Sequence, residues 1–174
     1  MAGTVEVSRV LETDRLALRR VTLDDAPFIY ELVNDPAWIR FIGDKQVRTL
    51  DDARKYIEKG PQAMYERVGF GLFLTELKDS LSPIGLCGLI RREGLDDVDV
   101  GFAFLSRYRS QGYAYEAAAA ALEYGRDTLG LKRIVAITTA DNRDSARLLA
   151  KLGMRFEKTV SLPDDPEELR LYAT

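Results

Sequence analysis

Apolar residues in this chain follow two different periods, and the sharpest change between them falls in one short stretch. Val98, Val100, Phe102 and Phe104 recur at every second position, with Asp97, Asp99, Gly101 and Ala103 between them. That alternation predicts a strand over 97–105 with an apolar face and a face of acidic and small residues. From Gly112 onward the spacing becomes helical: Ala114, Ala117, Ala118, Ala121 and Leu122 form one stripe. Between strand and helix lies a basic turn, Ser106 to Gln111, holding Arg107 and Arg109. A strand that feeds a glycine-opened helix through a cationic turn makes an anion site from free backbone N–H groups.

The same reading extends along the chain. Residues 1–11 lack turn chemistry and are expected to be a loose arm. Arg15 to Val21 reads as a first strand; Thr22 then caps a helix that reaches about Asn34 and stops at Asp35-Pro36. Pro36 to Arg48 is expected to be an apolar connection carrying Trp38, Ile39, Arg40, Phe41 and Ile42. A second helix, capped at Thr49, runs to Lys59 and past Gly60-Pro61 towards Arg67. Strands are predicted over 69–77, 83–92, 132–138, 154–160 and 168–173, with a helix capped by Asn142 and ended by Gly153. One strand–helix–strand crossover makes its two strands parallel, and the short links elsewhere imply antiparallel pairing. The expected fold is a single α/β (α+β) domain over 1–174: a mixed, mostly antiparallel sheet of about seven strands with helices on both faces.

Composition narrows the chemistry. With 174 residues, one domain can bury a substantial core. Net charge is −3 with both signs interspersed, which argues against a nucleic-acid surface. No apolar stretch is long enough for a membrane span, and the first residues lack a signal peptide's apolar core; the expected home is the cytoplasm. Histidine is absent, so Ser-His-Asp and Cys-His units are excluded and a zinc site loses its usual ligands; no metal is expected. The single cysteine, Cys87, sits in an apolar strand and reads as a core residue. Neither Gly-Lys-Ser/Thr nor Gly-x-Gly-x-x-Gly occurs, so the phosphate loops those strings mark are absent.

Arg109-Ser110-Gln111-Gly112-Tyr113-Ala114 resembles the pyrophosphate-binding signature Arg/Gln-x-x-Gly-x-Gly/Ala of the GNAT (general control-related N-acetyltransferase) superfamily. Glu116 in Gly-Tyr-Ala-Tyr-Glu-Ala, the pair Asn142-x-x-Ser145, Leu152-Gly153-Met154 and the opening Glu12-Thr13-Asp14-Arg15-Leu16 together resemble its ribosomal-protein N-terminal (Rim-type) branch. The resemblance implies a transferase moving an acetyl group from acetyl-coenzyme A to a primary amine, either a protein N-terminus or a small molecule, in a ternary complex. It implies cofactor contacts at Phe104, Leu105, Arg107, Arg109, Gln111, Gly112, Tyr113, Ala114, Asn142 and Ser145. Backbone N–H groups near Leu105 would polarise the thioester carbonyl.

Ser145 would donate a hydrogen bond to the departing sulfur, since a neutral hydroxyl is a poor acid. Asn142 fits both a cap and a cofactor contact. The base stays open between Asp99, on the strand face opposite Val98 and Val100, and Glu116, which also opposes the helix dipole, with Asp97 and Glu93 ranked below them. Trp38, Arg40 and Phe41 are the candidate acceptor wall. Many relatives carry a tyrosine four residues after the serine, where this chain has Leu149. That departure keeps a second reading open, a non-catalytic module that binds acyl-coenzyme A or a protein. Monomer and homodimer are equally compatible with the sequence.

Overall fold

The computed structural model describes residues 8–174, and eight strands within them make one sheet in the order β1-β2-β3-β4-β5-β6-β8-β7. The strands are β1 (Arg9–Glu12), β2 (Leu16–Arg19), β3 (Leu72–Leu77), β4 (Pro83–Ile90), β5 (Asp99–Phe104), β6 (Val135–Thr139), β7 (Arg155–Val160) and β8 (Leu169–Ala173). Every neighbouring pair is antiparallel except β5–β6. The sheet therefore has one strand more than expected. The addition is β1, which falls partly in the expected arm; residues 1–7 lie outside the described part. β1 escaped notice because it is an edge strand of four residues, too short for an alternating pattern.

The segment after Asp35 is also more ordered than the sequence suggested. Pro36–Phe41 is a helix, α2, rather than part of a loop connection. The Asp35 carboxylate accepts from the Ala37 amide at 3.0 Å and caps it, while Pro36 takes the first helical position. Proline keeps its predecessor out of the helical region, so the signal that ends α1 (Ala26–Val33) also starts α2. Further on, α3 (Leu50–Ile57) and α4 (Ala63–Val68) are joined by a π-helical turn, Glu58–Gln62. Pro61 lacks the N–H that would continue the regular ladder, and the wider turn absorbs that loss without ending the helix.

Two cores lie on the two faces of the sheet. On one face α5 (Tyr113–Asp127) packs Ala117, Ala118, Ala121 and Leu122 against Phe73, Leu89, Val98 and Val100. On the other, α1 and α3 pack Ile29, Leu32, Ala53 and Ile57 against Leu74, Leu86 and Leu105. The alternation of β5 is thus resolved: its even residues face α5, and Ala103 and Leu105 face the α1–α3 layer. α6 (Arg143–Lys151) follows β6 and brings Leu149 to the α5 side.

Candidate active site

β5 and β6 share one backbone bridge, Asp99 opposite Val135, fixed by the Val135 amide donating to the Val98 carbonyl at 3.0 Å. β5 runs on to Phe104 and β6 to Thr139 with no further pairing. The strands part beyond that point, and a cavity of about 700 Å³ fills the split and reaches both sheet faces. The Leu105 amide donates to the Ile84 carbonyl at 3.0 Å, so odd-numbered residues of β5 pair with β4. By the alternation of the ladder, Phe102 and Phe104 turn their main-chain groups towards the split. Leu105 is accordingly corrected: its amide is spent on β4, its side chain is 2 % exposed in the other core, and it does not line the cavity. Phe104 does.

The turn into α5 bends through two left-handed residues, Ser110 (φ 60°) and Gly112 (φ 85°). The first helical bond of α5 runs from the Glu116 amide to the Gly112 carbonyl at 3.1 Å, and no side chain caps the helix. Its opening amides are left without a helical partner beside the cavity, which Arg109, Ser110, Gly112, Tyr113 and Ala114 line. A Cβ on Gly112 would stand 3.2 Å from the Arg15 guanidinium, in a backbone conformation that side chains resist. Backbone donors, a helix dipole and Arg109 meet at one wall, an arrangement that suits a diphosphate.

Two residues expected at this wall face elsewhere. Arg107 pairs with Glu31 of α1, stacks on Tyr108, and does not line the cavity. Glu116 is held from behind by Arg15, whose amide and Nε donate to its two oxygens at 3.2 and 2.8 Å. Arg15 also donates from Nη1 to the Gln111 carbonyl at 3.0 Å and lies 4.3 Å over the Tyr113 ring. Glu116 is therefore removed from the candidate bases; its ion pair braces the turn from outside. Gln111 likewise turns back, its side-chain amide donating to the Arg107 carbonyl at 3.3 Å.

The α6 side supplies the opposite wall. The Asn142 side chain accepts from the Ser145 amide at 3.2 Å, capping α6. Asn142, Ser145 and Leu149 all line the cavity, so the position one turn beyond Ser145 presents a buried methyl surface and no hydroxyl. Among the acceptor candidates, Trp38 and Phe41 line the cavity and Arg40 does not. Arg40 instead stacks on Phe41 and reaches Asp141 in the β6–α6 turn at 3.4 Å. Asp35 ties α2 to the basic turn, accepting from the Ser106 amide at 3.1 Å and from its hydroxyl at 2.8 and 2.9 Å.

Asp99 is 1 % exposed at the vertex of the split and lines the cavity. Arg92 Nε donates to both its oxygens, at 3.0 and 3.2 Å. Burial raises its pKa above the ordinary 3.8, and the Arg92 charge opposes that shift only in part. Three further residues join it that sequence reasoning missed. Tyr56 of α3 lines the cavity with its phenol pushed up to about 12 by burial, hence neutral. Arg92 lies between β4 and β5, and Lys45 between α2 and α3. Partial burial, then the Arg92 charge, lowers the Lys45 pKa against the opposing Asp165 charge, although the Lys45 side chain still reaches solvent at the cavity rim. No periodicity marks any of the three. Among the described residues no group of three or more Asp, Glu or Cys is arranged to hold a metal.

Residues 15–155 match the model of the acetyltransferase (GNAT) domain. The uncharacterized N-acetyltransferase YnaD of Bacillus subtilis is 32% identical over 147 residues, covering 84% of this chain and 83% of its own. A GNAT-family acetyltransferase structure from Bacillus anthracis superposes with a TM-score of 0.77 at 26% identity, covering 94% of this chain and 96% of that one. The structure of RimL, a ribosomal L7/L12 alpha-N-protein acetyltransferase in complex with coenzyme A, shares the fold, with a TM-score of 0.80 at 17% identity over 96% and 97% of the two chains.

Proposed function

The chain belongs to the GNAT acetyltransferase family, and on that premise we propose that it carries an acetyl group from acetyl-coenzyme A to a primary amine by direct transfer. The observation that carries this reading is the coincidence of an uncapped helix N-terminus with a split sheet along one continuous cavity. Coenzyme A is also what the RimL structure contains. When bound, acetyl-coenzyme A supplies an acetyl group already activated as a thioester.

The residues present fit that cofactor. Amides of Gly112 to Ala114 with Arg109 would hold the diphosphate, the missing Cβ at Gly112 allowing close approach. The main chain of Phe102 and Phe104 would pair with the pantetheine amides as an added strand would, orienting the acyl group. An N–H of that same edge would polarise the thioester carbonyl, a role corrected from Leu105 to its even-numbered neighbours. Ser145 would donate to the sulfur as negative charge develops there. Asp99 would take the amine's proton, directly or through one water, since its raised pKa brings it closer to the operating pH. Cys87 stays outside this chemistry: it is fully buried, with its thiol pushed up to about 12, which supports direct transfer over an acyl-enzyme.

Calorimetry with acetyl-coenzyme A, followed by thiol release with a panel of primary amines and peptides, tests this. Saturable binding with amine-dependent release is expected. Binding without release above background favours a non-catalytic module, for which the hydroxyl-free Leu149 wall is the supporting feature. Absence of binding removes both readings.

A further inference from the structure

The cavity continues past the vertex of the split into a chamber on the α1–α3 face. Its walls are apolar, with Leu32, Phe41, Ile42, Met64, Leu72 and Ile90 around it. Small residues form part of its floor, Gly101 and Ala103, where a larger side chain would meet the chamber: a Cβ on Gly101 would already stand 2.9 Å from Ile90. On the α1–α3 side of the cavity Arg92 and Lys45 are cations, Asp99 is a carboxylate and Tyr56 is a neutral donor; the cavity's other carboxylate, Asp144, belongs to α6 on the far side. Asp99 is committed to Arg92 through both oxygens, whereas Lys45 makes no ion pair among the described residues. Asp165, from the β7–β8 connection, offsets the Lys45 charge only from outside the cavity.

A further donor stands unmatched. Trp38 is 4 % exposed and lines the cavity, and its indole N–H has no partner among the described residues. A buried donor without an acceptor is costly, so such groups usually meet a water or a ligand atom.

We propose that the amine acceptor carries a carboxylate on an apolar body, as an amino acid does, with Lys45 and the outer guanidinium nitrogens of Arg92 receiving that carboxylate. This rests on the acetyl-transfer reading and names its substrate class. Lys45, the cation with no partner inside the cavity, calls for a monoanion. A polyamine or a polycationic drug would meet Lys45 and Arg92 as like charges, and Asp99 is already engaged. The same cationic surroundings disfavour the ammonium form of the bound amine, which must lose its proton before it can attack.

Trp38 is the chain's single tryptophan, so its fluorescence reports on this chamber alone, whether or not transfer occurs. Leucine against leucinamide, and phenylalanine against phenylalaninamide, are titrated into the coenzyme A-loaded protein, with spermidine as the polycation. Acetyl transfer to each is followed in parallel by mass shift. About tenfold tighter binding of each free acid than of its amide is expected, matching one charge-assisted hydrogen-bonded contact. In Lys45→Glu that ratio collapses to one or inverts, while acetyl-coenzyme A affinity measured by calorimetry marks the variant as folded. Equal binding of acid and amide, a preference for the amide or spermidine, or no Trp38 response to any of them overturns the proposal. Acid preference in fluorescence with no transfer to any amine leaves the carboxylate site standing and overturns the acetyl-transfer reading instead.

Discussion

At the scale of single residues, Asp99 and Glu116 show how environment separates two carboxylates. Glu116 has an arginine behind it and turns away from the cavity; Asp99 is buried inside it. Burial raises the folded pKa of Asp99, so the protonated form persists to higher pH than in an unfolded chain. The stability contributed by that proton is complete below the unfolded value and is lost as pH rises through the folded one. The same sign would govern catalysis: as the proposed base, Asp99 would act only above its raised pKa, and the acid limb of kcat/KM should lie above the ordinary 3.8. Asp99→Asn is expected to lower kcat/KM by about a hundredfold or more and to abolish that limb. Glu116→Gln should retain it. A limb that survives Asp99→Asn would move the base elsewhere. Gly112→Val places a β-branched residue at φ 85° and should weaken acetyl-coenzyme A binding by more than about tenfold in calorimetry.

At the scale of elements, the basic turn is fixed from both flanks. Arg15, one residue before β2, grips Glu116 and the Gln111 carbonyl, while Asp35 at the start of α2 grips Ser106. The Arg15 clamp makes no large contribution to folding, because the Arg15–Glu116 pair is partly exposed and such pairs contribute about 0–1 kcal/mol. Its effect is on geometry. Arg15→Gln is expected to leave Tm within a few degrees of the wild type while weakening acetyl-coenzyme A binding by about threefold to tenfold. A drop in Tm without a change in binding would make the clamp a structural brace only. Asp35 also links the cofactor turn to α2, which brings Trp38 and Phe41 to the cavity. Asp35→Ala should therefore disturb both binding of the cofactor and selection of the acceptor.

At the scale of the whole molecule, the sheet is continuous everywhere except where β5 and β6 separate, and the cavity lies in that opening. The two cores pack against the sheet halves from opposite faces. Cys87 lies within the packed layer beneath α5 at 0 % exposure. A thiol reagent should leave the native protein unmodified and label one cysteine per chain after denaturation. Labelling of the native state at a rate comparable to the denatured one would mean that this layer opens readily.

Local pattern carried far in this chain because strand and helix periods, caps and the change of period at Gly112 are properties of neighbouring residues. The crossover and the Asn142 cap were legible for that reason, whereas the Leu149 departure was visible only through the family resemblance. Arg107, Arg109 and Glu116 stand close together in the sequence, yet only Arg109 faces the cavity. Partners 76 and 101 residues away, Glu31 and Arg15, turn the other two aside. Arg92, Lys45 and Tyr56 belong to three different connections and helices, and no spacing rule relates them. Amino-acid order determined the elements and the basic turn proposed to hold a diphosphate. Which charges meet on the α1–α3 side of the cavity was decided only when the sheet split and the α1–α3 layer closed over it, because electrostatic surroundings depend on distance in space, not along the chain.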